Sequence, residues 1–185
     1  MLDNLMNLIK GNSSEAVINN PAIPNDKNNA AVEAAGTSIL GTLKNSLSNG
    51  KIGEVLAYFK KHGIGGGESD NIVKEATADY SKNLQKDLNV SASEANSIAE
   101  KVVPATMSQL ATKTVDPSDK SFSIQDIFSK LSGGKSDKVN FQDMLNRFDG
   151  GKLDHDRDGN VDMQDLKSMF SGDGGLVDKV KGFFK

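Results

Sequence analysis

Apolar residues in this chain recur at three- and four-residue spacings, and each stretch that shows the spacing ends in a recognisable stop. Leu2, Leu5, Met6 and Ile9 form one face of a short opening helix. Asn19-Asn20-Pro21-Ala22-Ile23-Pro24-Asn25 follows as a connector, because two prolines withhold backbone donors and the asparagines favour turns. From Ala30 to Leu47 the apolar positions are Val32, Ala35, Ile39, Leu40, Leu43 and Leu47, a single helix face. Ser48-Asn49-Gly50 closes it, with Gly50 suited to a left-handed helix end. Ile52, Val55, Leu56 and Phe59 mark a further short helix over 52–61, stopped by Gly63-Ile64-Gly65-Gly66-Gly67. The pattern resumes over 68–88 with Ile72, Val73, Ala76, Tyr80, Leu84 and Leu88. Ser91 with Glu94 three residues on is a capped helix start. The helix that follows meets Pro104, which is expected to break or kink it.

Beyond Asp116 the texture changes. Three segments share one pattern: Phe122-Ser123-Ile124-Gln125-Asp126, Val139-Asn140-Phe141-Gln142-Asp143 and Val161-Asp162-Met163-Gln164-Asp165. Each has an apolar residue, then a capping residue, then Asp three positions after the cap. Cap and acid together satisfy free amides and the dipole at a helix start. The last two copies lie 22 residues apart. The reading is therefore an all-α protein of two modules, a helical bundle over 1–115 and a second module over 116–185, with the boundary between about Lys113 and Lys120.

The chemistry sits in Asp154-His155-Asp156-Arg157-Asp158-Gly159-Asn160-Val161-Asp162-Met163-Gln164-Asp165. Calcium takes six to eight oxygens, and its helix–loop–helix site supplies them from a fixed twelve-residue spacing. Asp154, Asp156 and Asp158 fill positions 1, 3 and 5. Gly159 stands where the chain must turn sharply, Asn160 offers its backbone carbonyl, Asp162 fills position 9 and Asp165 closes the loop. Asp165 stands where Glu is usual. It is one methylene shorter, which disfavours seven-coordination and makes magnesium a second candidate for the same donors.

This stretch resembles the EF-hand loop, and more particularly the dockerin modules of bacterial cellulosomes, which use Asp at the last position and repeat their loops at about this spacing. The resemblance implies a pair of loops over about 131–170. Ser132 to Asp143 is then a degenerate partner loop that keeps Val139 and Asp143, has lost the early acids, and should hold no metal. Farther upstream, Leu84, Leu88, Val90, Ala95, Ile98, Val102, Pro104, Met107 and Leu110 resemble the helical repeat of the YidB-like bacterial family over about 70–115. That resemblance implies a helical bundle and carries no catalytic residues.

Composition narrows the function. The net charge of −3, from 22 basic and 25 acidic residues, lacks the basic surplus of a general nucleic-acid binder. There is no cysteine, which excludes thiol catalysis, disulfides and cysteine–zinc sites. Asp3 stands where a secretory signal would be basic, and no apolar run is long enough to span a bilayer, so a cytoplasmic chain without membrane contact is expected. A mature chain stripped of an export signal would read the same way. His62 and His155 have no Ser or Cys near them in sequence, so no nucleophile–base unit is proposed. The glycine run at 65–67 lacks the phosphate-binding forms and reads as a linker. Leu176, Val177, Val180, Phe183 and Phe184 with Lys179, Lys181 and Lys185 form a short amphipathic helix that closes its own domain or touches anionic lipid or a protein partner. The sequence thus points to a non-enzymatic calcium-binding protein with a structural ion. A calcium-responsive sensor or interaction module is second, and an enzyme on the bundle is a distant third.

Val139 and Val161 occupy equivalent β-branched positions, suited to a short strand contact between the two loops. A single loop with its helices is too small to bury a core of its own. Phe128, Leu131, Leu145, Phe148, Leu166 and Phe170 are expected beneath that contact. Val139→Asp should therefore weaken calcium binding in a titration although Val139 is no ligand. Unchanged affinity would reject the pairing.

Overall fold

The structure is a computed structural model that describes residues 2–49, 51–63, 71–133, 140–142 and 145. Among these residues there are six α-helices and no strand: α1 (Leu2–Asn12), α2 (Asn28–Ser48), α3 (Ile52–Gly63), α4 (Asn71–Leu88), α5 (Ala92–Val115) and α6 (Ile124–Leu131). The chain divides into two compact units that interleave in sequence. One comprises Met1–Thr42 and Gly67–Leu110, the other Leu43–Gly66 and Ala111–Lys185.

In the first unit the apolar spacings become buried faces. Leu5 and Ile9 of α1, Val32, Ala35 and Ile39 of α2, and Ala76, Tyr80 and Leu84 of α4 are all buried. Helix α5 contributes Ala95, Ile98, Val102 and Met107. A β-carbon at Gly36 would lie 3.2 Å from Met6 Sδ and 3.3 Å from Ile9 Cδ1, so glycine there lets α1 and α2 approach closely. Side-chain bonds fix which helices adjoin. Asn83 Nδ2 of α4 donates to Ser38 Oγ of α2 at 2.8 Å, and Ser81 Oγ donates to Asn96 Oδ1 of α5 at 2.6 Å. Asn12 and Gln109 exchange amide bonds of 3.0 and 3.4 Å between the ends of α1 and α5.

Helix ends follow local chemistry. Glu94 N–H donates to Ser91 Oγ at 3.4 Å, the cap expected at the start of α5. Asn89, at φ 57°, follows α4 in the left-handed region, which Asn tolerates better than most residues. Lys27 Nζ donates to the Leu88 carbonyl at 3.3 Å, a cation placed at a helix C-terminus. At the end of α2, Lys51 N–H bonds the Ser46 carbonyl at 2.9 Å, the six-to-one bond of a Schellman end. Gly50 itself lies outside the described residues.

Two local features depart from the sequence expectation. Helix α1 is followed by a π turn, Ser14–Ile18, in which the Ser13 carbonyl accepts from both Val17 and Ile18 at 2.8 and 3.1 Å. Apolar spacing carries no sign of it. Helix α5 also runs unbroken through Pro104. Proline withholds the donor due to the Glu100 carbonyl and crowds it, at about 3 kcal/mol. Val102, Val103, Met107 and Leu110 are buried on this stretch. At about 1.5–3 kcal/mol each, their burial outweighs the proline, so the helix continues.

In the second unit, Leu43 and Leu47 at the end of α2, Val55, Leu56 and Phe59 of α3, and Ile124, Ile127 and Phe128 of α6 are buried. The Tyr58 and Phe59 rings meet edge to face, 5.9 Å between centroids.

Replacing Pro104 by Ala should restore the missing helical bond. A helix gain of about 3 kcal/mol, less the 0.4–1 kcal/mol that proline saves in the unfolded chain, predicts a net stabilisation of about 2 kcal/mol. Urea denaturation of Pro104→Ala checks it, with a raised midpoint and an unchanged slope as the expected outcome.

Candidate metal centre

All six residues assigned to the metal, Asp154, Asp156, Asp158, Asn160, Asp162 and Asp165, lie outside the described residues. So do His155, the glycine run 65–67, the C-terminal apolar stretch, and both Val139 and Val161. The donor set is therefore judged by its chemistry. It comprises five carboxylates and one backbone carbonyl, all hard oxygen donors in the calcium spacing, and it fits a hard divalent cation. Among the described residues no three acidic or imidazole side chains come together to hold a metal.

What the structure describes of the chain ahead of this loop is residues 116–133, 140–142 and 145. Two short side-chain turns set the linker after α5. Asp116 accepts from the Ser118 amide at 2.8 Å and from its hydroxyl at 2.6 Å. Asp119 accepts from Lys113 Nζ at 2.8 Å, from the Ser121 amide at 2.8 Å and from the Ser121 hydroxyl. The Lys113 ammonium, followed by the Ser121 bonds, holds the Asp119 carboxyl well below the usual carboxylate range. The Ser118 bonds likewise lower Asp116.

Helix α6 starts as its sequence predicts. Ser123 is extended (φ −133°, ψ 145°), and its hydroxyl accepts the Asp126 amide at 3.0 Å. Ile124, Ile127, Phe128 and Leu131 are buried, one face at three- and four-residue spacing. The helix ends where Ser132 N–H bonds the Phe128 carbonyl at 3.0 Å. Gly133 follows at φ 64°, a conformation that most side chains resist.

Ser132 begins the stretch that the sequence reading takes as a degenerate loop, and its hydroxyl donates to the Ser129 carbonyl at 3.0 Å. At the other end of that loop, Asn140 stands directly before the helical residues Phe141 and Gln142. Phe141 is fully buried, and its ring lies 4.1 Å from that of Phe128 at an angle of 36°. Its amide donates to Gln125 Oε1 at 3.0 Å. Of the six apolar residues expected beneath the loop pair, Phe128, Leu131 and Leu145 are buried. Phe148, Leu166 and Phe170 lie outside the described residues.

The role of Gln125 did not emerge from sequence reasoning. A signal for it was present, because Gln-Asp recurs in the same register at 125–126, 142–143 and 164–165. Caps and acids explain the Asp of that pair but give no reason for the Gln.

Elsewhere a shallow cleft of about 300 Å³ in the first unit is lined by Lys10, Ile18, Asn28, Asn29 and Val32. It combines one cation with amides and aliphatic side chains and holds no nucleophile or base. No helix among the described residues is long and apolar enough to cross a membrane. Compared with family models, curated proteins and solved structures, the chain matches none.

The Phe128–Phe141 contact should dominate the energetics of this segment. Truncating a buried Phe costs about 3–5 kcal/mol in lost transfer energy and residual cavity. Phe141→Ala is expected to lose that much in a denaturant titration, and a loss under 1 kcal/mol would show that the contact is not formed in solution.

Proposed function

We propose that this chain is a calcium-binding helical protein, in which one ion is held by Asp154, Asp156, Asp158, the Asn160 carbonyl, Asp162 and Asp165. The observation that carries the reading is the sequence pattern, in which each required position of the twelve-residue loop has a suitable residue. An ordinary acidic loop on a solvated surface has no reason to place Asp at three alternate positions, then a glycine at the turn and an apolar residue at position 8. Bound calcium would offset the repulsion among five carboxylates, and would tie the start of the exiting helix to the loop.

The ion's role in this reading is structural and the chain is non-enzymatic. A calcium sensor works by exposing an apolar groove on binding. The residues leading into the loop favour the structural role, because Phe128, Phe141 and Leu145 are already buried. The EF-hand and dockerin likeness supports the reading through the same residues. The YidB-like likeness supports only the helical bundle.

Calorimetry with calcium, repeated with magnesium, tests the proposal. One calcium per chain is expected, with a Kd of about 10⁻⁶ to 10⁻⁴ M, since five carboxylates favour binding and the short Asp165 weakens it. Asp154→Ala should abolish the heat. At calcium 100-fold above Kd the protein should gain about 2.7 kcal/mol over the chelated form, read as a raised melting temperature. Two ions per chain would overturn the single-loop assignment, and no binding would overturn the function.

A further inference from the structure

The bond from the Phe141 amide to Gln125 Oε1 solves a problem that apolar packing leaves open. Amides in the first turn of a helix have no partner within that helix. Phe141 begins the helical residues after Asn140 and is fully buried, so bulk water cannot take its N–H. Gln125, half-buried in the first turn of α6, accepts it at 3.0 Å. Phe141 is two residues ahead of Asp143, which ends the degenerate loop, as Met163 is two ahead of Asp165 in the intact one. In an intact loop the ion secures this part of the exiting helix through the last carboxylate. In the degenerate loop a side-chain amide from the entering helix does it.

We infer that Gln125 is a positioning residue of the calcium module. Its carbonyl ties the start of the second helix to α6 in the half that has lost its metal ligands, fixes the shape of that half before calcium arrives, and so raises the affinity of the intact loop. The inference rests on the calcium-binding reading. A partner half already ordered spares the binding step the cost of ordering it, which is how preorganisation becomes affinity. The Phe128–Phe141 ring contact supplies burial, while the Gln125 bond supplies direction, because a hydrogen bond fixes the helix start in a way that two stacked rings do not.

The test uses the full chain, with two readouts and two variants. Gln125→Met keeps the length and removes the acceptor; Gln125→Glu keeps the acceptor. In EDTA the Phe141 amide should be protected from hydrogen exchange in the parent protein and in Gln125→Glu, and should exchange rapidly in Gln125→Met. Calorimetry should show one calcium in all three, with affinity about tenfold weaker in Gln125→Met, the scale set by leaving a buried amide unpaired. Gln125→Glu should stay within about twofold of the parent. An unprotected Phe141 amide in the chelated parent protein, a measurement that needs no variant to fold, would overturn the inference. Equal calcium affinity in Gln125→Met would overturn it as well. A parent protein with Phe141 protected but without calcium binding would instead bring down the underlying function, and the inference with it, while leaving the bond in place.

Discussion

The first unit depends on helices approaching closely through small side chains. The chain has no Trp, and only 5% of its residues are aromatic, so large rings cannot fill the space between helices. Ala31, Ala35, Ala76, Ala95 and Ala99 are all fully buried, and a methyl group at Gly36 would press on Met6 and Ile9, which would have to shift to admit it. Packing at this density makes dispersion contacts count and leaves little tolerance for added volume. The aliphatic residues contribute most of the transfer energy, but they do so only because the small residues bring the helices together.

Close packing alone does not choose one alignment of helices over another, and buried polar groups supply that choice. Ser38 with Asn83 and Ser81 with Asn96 each pair a hydroxyl with an amide across two helices. Sliding α4 by a turn would break both bonds and leave the buried Ser38 hydroxyl without Asn83, at roughly 1–3 kcal/mol for an unpaired buried group. Tyr80 is an exception. Its ring is fully buried, its hydroxyl has no partner among the described residues, and desolvation pushes its pKa upward, so it stays neutral. The apolar body of the side chain evidently outweighs the cost of its hydroxyl.

Most of this helical framework was legible in the sequence, because burial on one face leaves a periodic trace. Most residues on the predicted faces of α1, α2, α4 and α5 are buried, Met6 and Leu40 being half-buried, and the Ser91 and Ser123 caps are formed. Three features were not legible, each for its own reason. The π turn at Ser14–Ile18 adds one residue to a turn without any composition that marks it. Pro104, expected to break or kink α5, does not break it, because the apolar burial on either side outweighs the local cost of proline. Gln125 contributes a bond to a residue sixteen positions away, and no short-range pattern encodes such a partner. The residues proposed to hold calcium present the reverse case. Their identities and spacing were readable at once, because metal geometry constrains residue types at fixed positions, and they lie outside the described residues.

The interleaving of the two units bears on how the chain is made. The first unit draws on Met1–Thr42 and Gly67–Leu110, and the second on Leu43–Gly66 and Ala111–Lys185. Neither is complete from one continuous run of sequence. A ribosome adding about 5–20 residues per second delivers the first segment of each unit seconds before its other half. During that interval the buried faces of α1 and α3 have no finished core to enter. A nascent chain of this order offers apolar helices to chaperones early and closes both units late, in contrast to a protein whose domains emerge one after the other.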